Sequence, residues 1–523
     1  MKKGGYSLYS KLICGTLSGL SAEKVFVESD VACGFPSFYI VGLADAAIKE
    51  SKERVRAAVS NSGFPFPQER VTVNLSPADR KKEGTHFDLP VALSILSAGG
   101  KLRFKKEWMC ENWACLGELT LDGRLVRIRG LLPMLIDLKA EGIEKFILPE
   151  ENLEEALAVS GIILYPAKNL REAADHLCGS RTIAERRGDG EAYLRRRRAA
   201  GKEDKTEKDF SEVLGQETAK RAMQISASAM HNILMIGSPG TGKSMLAQRL
   251  PGILPPLSYD EMIELTKIYS ISGLLDVRQP LMTSRPFRCP DTKVTPAALA
   301  GGGKKPMPGE VSLAHLGVLF LDETPEFSRE SLETLRGPME AETVTISRTG
   351  GRYIFPAKFL TVAAMNPCPC GYAFDPSREC TCTESQIRHY RARLSGPFLD
   401  RIDLFIHVNS PVGRILPGEK SEISSEQLKK GVLRARRAQK ERFRTEKIRY
   451  NSQMSSRHLE KYCRLDRESE RLLEEAYEKL RMSSRSCGRV LRVARTIADI
   501  EDSEEIRFRH LAEAITYKAK EWK

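Results

Sequence analysis

The sequence predicts an α/β fold: a phosphate-loop core on a parallel sheet, a helical lid behind it, and a further α/β block ahead of it. Three observations predict this. The apolar run Ile233-Leu234-Met235-Ile236 leads directly into Gly237-Ser238-Pro239-Gly240-Thr241-Gly242-Lys243-Ser244, which reads as a buried strand, a glycine-rich turn and a helix beginning at Lys243. A second apolar run, Val318-Leu319-Phe320-Leu321, ends in two carboxylates, Asp322 and Glu323. Four consecutive apolar residues describe a strand buried on both faces, as parallel sheets require. Beyond residue 425 apolar residues recur at helical spacing, through Leu472, Leu473, Ala476 and Leu480, then Val490, Leu491, Val493, Ala494, Ile497 and Ala498.

The chain has 523 residues, enough for two or three domains with ample cores. No run approaches the ~18–20 apolar residues of a membrane span. The N-terminus, Met1-Lys2-Lys3-Gly4-Gly5-Tyr6, has no long apolar stretch or cleavage site, so a cytoplasmic protein without a membrane partner is expected. Most of the 12 cysteines are scattered singly, which suits reduced thiols. The 82 basic and 69 acidic residues leave a net charge of +13. That excess suits a polyanionic partner without choosing between nucleic acid and another acidic surface.

Taken in order, residues 1–178 read as an α/β block, with a strand over 38–43, an amphipathic helix over 45–62 stopped by Gly63, and a strand over 71–75. Residues 179–208 hold Arg181, Arg186, Arg187 and the run Arg195-Arg196-Arg197-Arg198 among few apolar residues, which predicts a basic linker with a short exposed helix. Residues 209–411 form the ATPase core and 412–523 the helical lid domain. A compact helical lid after a P-loop core is the layout of an AAA+ ATPase.

The chemistry follows from residue types at strand ends. Gly237, Gly240 and Gly242 lack a Cβ, so the N–H groups of the loop, Ser238, Pro239 and Thr241 included, can wrap a phosphate chain at a helix N-terminus. ATP is the expected ligand. Lys243 reaches its β/γ-phosphates and Ser244 is placed for Mg²⁺. Asp322 holds the Mg²⁺ shell, and Glu323 orients the attacking water. A third apolar strand, 359–365, ends at Asn366-Pro367, where an Asn side chain can sense the γ-phosphate. Arg401, in Leu399-Asp400-Arg401-Ile402-Asp403, is a candidate arginine finger for a neighbouring subunit; its bland reading is an ion pair with Asp400 or Asp403. Arg485 opens the last long helix and is expected to reach back to the phosphates, with Arg489 one turn on as the competing choice.

Two further constellations stand outside the nucleotide motif. Cys368-x-Cys370 and Cys380-x-Cys382 put four thiols in fifteen residues, a set that can close on one structural Zn²⁺; reduced surface cysteines are the alternative. The Gly/Pro/basic stretch 283–309 carries Arg285, Arg288, Lys293, Lys304 and Lys305, and residues 344–355 read as a β-hairpin bearing Arg348 and Arg352. Related ring motors place insertions at these two points in a central pore. Lys304, Lys305, Arg348 and Arg352 are therefore candidate contacts to a DNA backbone.

Gly215-Gln216, His231-Asn232-Ile233-Leu234, the P-loop, Leu250-Pro251-Gly252-Ile253-Leu254-Pro255-Pro256-Leu257, the acidic strand, Asn366-Pro367-Cys368-Pro369-Cys370-Gly371 and the segment 395–404 together resemble the YifB/ComM family of Mg-chelatase-like AAA+ proteins. The resemblance covers nearly the whole chain apart from the linker. It implies a hexamer and a branch-migration helicase acting on single-stranded or branched DNA in recombination or natural transformation. It also implies Asn366 as sensor 1, Arg401 as finger and Arg485 as sensor 2. The alternatives are a chelatase-type ATPase and an ATP-switched protein remodeller without DNA translocation.

The first block resembles the Lon protease domain, through residues 119–131 and Lys82-Glu83-Gly84-Thr85-His86-Phe87-Asp88-Leu89-Pro90. On those patterns the serine position falls on His86 and the lysine position on Leu132. A leucine cannot deprotonate a nucleophile, so peptidase activity is expected to be absent.

Overall fold

The computed structural model describes residues 9–79, 81–108, 112–199, 208–276, 279–303, 306–348, 351–373, 375, 378–409 and 421–518. The chain divides into two compact units: residues up to 203 together with Tyr259–Met282, and residues 204–258 together with Thr283–Lys523. No helix among the described residues is long and apolar enough to cross a membrane.

The first unit holds two four-stranded sheets. One runs in the order Tyr9–Ser18, Ser21–Ala32, Arg70–Ser76, Ser37–Val41, its last pair parallel and the others antiparallel. The other runs Arg186–Arg187, Ile163–Ala167, Lys145–Pro149, Trp113–Cys115. The helix Ala46–Asn61 starts where the Asp45 carboxylate accepts the Ile48 N–H at 2.9 Å. Its buried Ile48, Val55, Ala58 and Val59 follow the helical period, which is what made it legible. The stretch expected as a basic linker with a short helix holds a helix and also a short strand. Arg186–Arg187 pairs antiparallel with Ile163–Ala167, and Gly190–Ala199 is helical. Edge pairing needs only backbone groups, so a run of charged residues does not forbid it; residues 200–207 of that stretch lie outside the described residues.

The helix Tyr259–Ser272 also belongs to the first unit, although it follows the P-loop helix in sequence. Met262, Leu265 and Ile268 are buried, Ser270 donates to Glu155 at 2.8 Å, and Lys267 pairs with Asp137 at 3.0 Å.

The second unit is built on a five-stranded sheet, Phe287–Arg288, Val318–Leu321, Leu360–Met365, Ile233–Ile236, Leu404–His407 in spatial order, parallel throughout. The lid comprises Ser425–Arg442, Ser456–Tyr462, Arg467–Lys479, Ser484–Ile500 and Phe508–Thr516. Sheet residues such as Val318, Val362 and Leu404 share one apolar core with lid residues Val432, Val490, Ile497 and Leu511. Two hairpins, Gly301–Gly302 with Met307–Pro308 and Thr343–Arg348 with Gly351–Pro356, complete this unit.

Candidate nucleotide site

Ligands of open parallel sheets bind outside the carboxyl ends of the strands. The sequence-predicted groups converge there. Ile236 pairs with Met365 across the sheet, so the phosphate loop and Asn366 leave adjacent strands side by side. The loop's Gly237 N–H donates to the Met365 carbonyl at 3.2 Å. Lys243 heads its helix, and its Nζ donates to Gly237 O at 2.6 Å, Ser238 O at 3.0 Å and Asn366 Oδ1 at 3.2 Å. Burial pushes the Lys243 ammonium below its usual range, against Asp322 and Glu323, which raise it. The Ser244 hydroxyl donates to Asp322 Oδ2 at 2.8 Å.

Glu323 is exposed and sits at φ 48°, the left-handed region that costs a non-glycine residue about 1 kcal/mol or more. The turn is fixed from behind: the Thr324 hydroxyl donates to Leu321 O at 2.9 Å and lies 3.0 Å from Ala364 O. Gly240 and Gly242, at φ 79° and 88°, have nothing within 4 Å of where a Cβ would stand. This is a cradle of N–H groups with open space before it, and the residues present fit a triphosphate and Mg²⁺. Ser244 and Asp322 would hold the ion, which when bound neutralises charge on the phosphates. Lys243 offers a cation and Asn366 a polar contact, while Glu323 is the carboxylate free to orient water.

The two predicted arginines lie elsewhere. Arg401 and Arg485 share a cleft of about 770 Å³ with Asn232, Phe359, Asp403, Arg489 and Arg492. Asn232, Phe359 and Asp403 immediately precede the strands Ile233–Ile236, Leu360–Met365 and Leu404–His407. The cleft therefore opens at the amino ends of the strands, while the phosphate loop leaves their carboxyl ends, about 13 Å away along a four-residue strand. Arg485 thus lies at the strand ends opposite the phosphate loop of its own chain. The choice between Arg485 and Arg489 also sharpens. Arg489 donates to the carbonyls of Leu399, Asp400 and Ile402 at 3.3, 2.8 and 3.1 Å, while Arg485 is exposed in the cleft. Arg401 pairs with Glu340 and donates to Pro397 O at 2.6 Å, not with Asp400 or Asp403.

Two residues beside Arg401 carried no predicted role. The Asn232 amide donates to the Arg401 carbonyl at 2.9 Å and accepts the Thr361 N–H at 3.0 Å. Buried His231 bridges Asp403 Oδ2 at 3.2 Å and Thr496 Oγ1 of the lid at 2.9 Å. The available signal was a polar pair directly before a fully apolar strand.

The four cysteines come together: Sγ atoms of Cys368, Cys370 and Cys380 lie 3.3–3.6 Å apart, and all four ligand atoms fall within 4.8 Å of one another. This cluster could hold a metal ion. The Tyr372 N–H draws the Cys370 thiol below its usual range, toward the thiolate that metals take.

Of the candidate DNA contacts, Arg348 and Arg352 are exposed and paired across their hairpin through neighbouring positions, Ser347 with Arg352 and Arg348 with Gly351. The two hairpins touch: a Cβ on Gly301 would stand 3.2 Å from Ile346, and one on Gly302 3.9 Å from Arg348. Lys304 and Lys305 lie outside the described residues. Arg288 is instead bound to Glu310 by two 2.7 Å contacts, and Arg285 donates to Pro255 O at 2.5 Å and Leu316 O at 2.6 Å.

In the first unit His86 is buried with Nε2 2.8 Å from Gly15 O, and Leu132 is buried with its N–H on Glu155 at 3.3 Å.

A five-stranded parallel sheet, a glycine-rich loop carrying Lys243 and Ser244, an acidic strand end and a packed helical lid define a P-loop ATPase of the AAA+ class. Sequence comparison narrows the class. The family described as magnesium chelatase, subunit ChlI, matches residues 209–414, the subunit ChlI of Mg-chelatase family matches 27–152, and the ChlI C-terminal family matches 422–518. YifB of Salmonella typhimurium is 40% identical over 96% of this chain and 95% of its own. Competence protein ComM of Haemophilus influenzae is 39% identical over 96% of both. Magnesium-chelatase subunit ChlI of Euglena gracilis is 24% identical over 30% of this chain and 52% of its own. The chain belongs to the YifB/ComM family of Mg-chelatase-like AAA+ ATPases, a class that is typically oligomeric.

Proposed function

We propose that this protein is a hexameric, ATP-driven DNA motor of the cytoplasm, a branch-migration helicase acting in homologous recombination or natural transformation. One observation carries the reading furthest: the phosphate loop and the Arg401–Arg485 cleft lie at opposite edges of one sheet. A lone subunit cannot bring both to one nucleotide. In a ring each subunit presents its cleft to the loop of the next, and Arg401 and Arg485 complete the neighbour's site.

DNA as the substrate is supported by the touching hairpins with exposed Arg348 and Arg352, by the +13 charge, and by the name of the ComM relative. In this reading Lys304 and Lys305 join the two arginines on the DNA path, the cysteine cluster holds a structural Zn²⁺, and the first unit serves as a collar without peptidase activity.

The deciding measurement is ATP turnover with and without single-stranded and forked DNA, followed by strand displacement on forked and four-way substrates. Stimulation and displacement are the expected results. Turnover indifferent to every DNA would remove the motor reading and leave the ATP-switched remodeller.

A further inference from the structure

The cysteine cluster sits against the nucleotide loop. A tetrahedral ion with Zn–S bonds of about 2.3 Å sets sulfur–sulfur edges of about 3.8 Å. The separations among Cys368, Cys370 and Cys380 are 3.3, 3.5 and 3.6 Å, and the fourth sulfur, Cys382 Sγ, accepts the Cys370 N–H at 3.3 Å. All four sulfurs lie within 4.8 Å of one another, and three of the four cysteines are only partly buried, so burial alone does not account for their gathering.

What the cluster holds in place is specific. Gly371 follows Cys370 at φ 91°, and a Cβ there would stand 2.6 Å from Pro239 Cδ, inside the phosphate loop, and 4.0 Å from the Asn366 amide carbon. On the other side, Cys382 precedes Thr383, the cap of the helix Glu384–Ala392. That helix returns to the same place: Arg391 Nε donates to the carbonyl of Pro367, the residue after Asn366, at 3.4 Å. The cluster thus joins the turn that walls the phosphate loop to the helix that meets Pro367 beside Asn366.

We infer that Cys368, Cys370, Cys380 and Cys382 bind one Zn²⁺, and that the metal-held turn is a wall of the nucleotide site, so that nucleotide affinity follows metal occupancy. The inference rests on the ATPase reading of the site. It gives the ion a role in controlling the chemistry beside it rather than in carrying it out.

The test uses the full chain purified without chelator, with metal analysis and binding of a fluorescent ATP analogue. About one Zn²⁺ per chain is expected. A chelator that spares Mg²⁺ should weaken nucleotide binding at least tenfold, and added Zn²⁺ should restore it; this reversal in one sample does not depend on a variant folding. Cys382→Ser should lose metal and affinity together. Gly371→Ala should keep the metal and still lose affinity, because its methyl group displaces Pro239. Protein that carries no zinc and takes none up overturns the metal site while leaving ATP binding intact. Protein that loses and regains zinc with constant nucleotide affinity overturns the wall. A zinc-loaded chain that binds no nucleotide at all overturns the ATPase reading instead.

Discussion

Two loops in this molecule run from a glycine into a helix, and they have opposite fates. Gly242 leads into Lys243–Ile253; Lys243 is buried there, but Glu323 is exposed and nothing lies within 4 Å of where a Cβ on Gly240 would stand. Gly84 leads through His86 into Asp88–Ala98, and His86 and Asp88 are turned inward. His86 is 5% exposed and held by Gly15 O, and Asp88 is gripped by Arg54 at 3.0 and 3.2 Å. Burial pushes His86 down to about 4 and Asp88 up to about 6. The same loop-to-helix device leaves the Glu323 carboxylate exposed beside one glycine and turns His86 and Asp88 inward beside the other. Perturbed ionisation alone does not mark a working site.

The sharpest test of the open loop lies at the other edge of its sheet. Arg401→Ala should reduce ATP turnover by about 10³–10⁵-fold, the range of trans-acting fingers in GTPases, with nucleotide affinity retained. Mixed with Lys243→Ala, which should lose nucleotide binding itself, it should recover part of the activity, since one intact interface can form. Failure to recover in rings shown to be mixed would return Arg401 to its own subunit.

Next in size, Glu323→Gln should lower turnover by about 10²–10⁴-fold while binding is kept, because the amide cannot act as a base toward water. Turnover within a few-fold of wild type would remove Glu323 from the chemistry.

A smaller effect is expected at the hairpins. Replacing Lys304, Lys305, Arg348 and Arg352 together by Ala should weaken binding of single-stranded DNA. It should also flatten the salt dependence by about 0.7 log unit per log salt for every phosphate that is no longer neutralised. An unchanged slope would move the DNA surface to the arginine-rich stretch 181–198 or to the first unit.

The smallest effect tests the closed loop. His86 has its pKa depressed when folded, so the unfolded chain takes up the extra proton as pH falls through about 6.5. Its stabilisation is complete above that value and is lost on acidification, by about 1 kcal/mol between pH 7 and 5.5. Asp88, raised by burial, has the opposite sign, so the wild-type slope mixes the two and the difference from His86→Gln isolates the imidazole. Tryptophan fluorescence reads this unit through Trp108 and Trp113. The variant should lose less stability on acidification, and neither it nor Leu132→Ala should change ATP turnover. Equal losses in both proteins would show that His86 is not held neutral.

What could be read beforehand was local. The phosphate loop, the acidic pair and Asn366 each follow a run of apolar residues that can only be a central strand, so their placement at one sheet edge needed no long-range information. The four cysteines were legible for the same reason, lying within one segment of fifteen residues. Arg485 was not: its sequence says that it opens a helix, but which sheet edge that helix meets is settled by packing among Val490, Ile497 and Leu511. Arg288 and Glu310 lie 22 residues apart, and nothing in a basic, glycine-rich stretch says that one arginine has an internal partner. The helix Tyr259–Ser272 was not read from the sequence at all, and its buried Met262, Leu265 and Ile268 belong to a unit whose other residues lie before 204.

That helix has a consequence for how the chain can be made and cut. Because Tyr259–Met282 belongs with the residues before 203, no single cleavage separates the two units. A fragment ending near residue 203 would lack the Ser270 hydroxyl that meets buried Glu155, and would bare the surface that Met262, Leu265 and Ile268 cover. During synthesis the first unit must wait, unfinished, until Met282 has emerged, by which time the phosphate loop is already outside the ribosome. The nucleotide motif is thus translated before its N-terminal neighbour can close, and a truncation that looks clean on a sequence map would yield two incomplete folds.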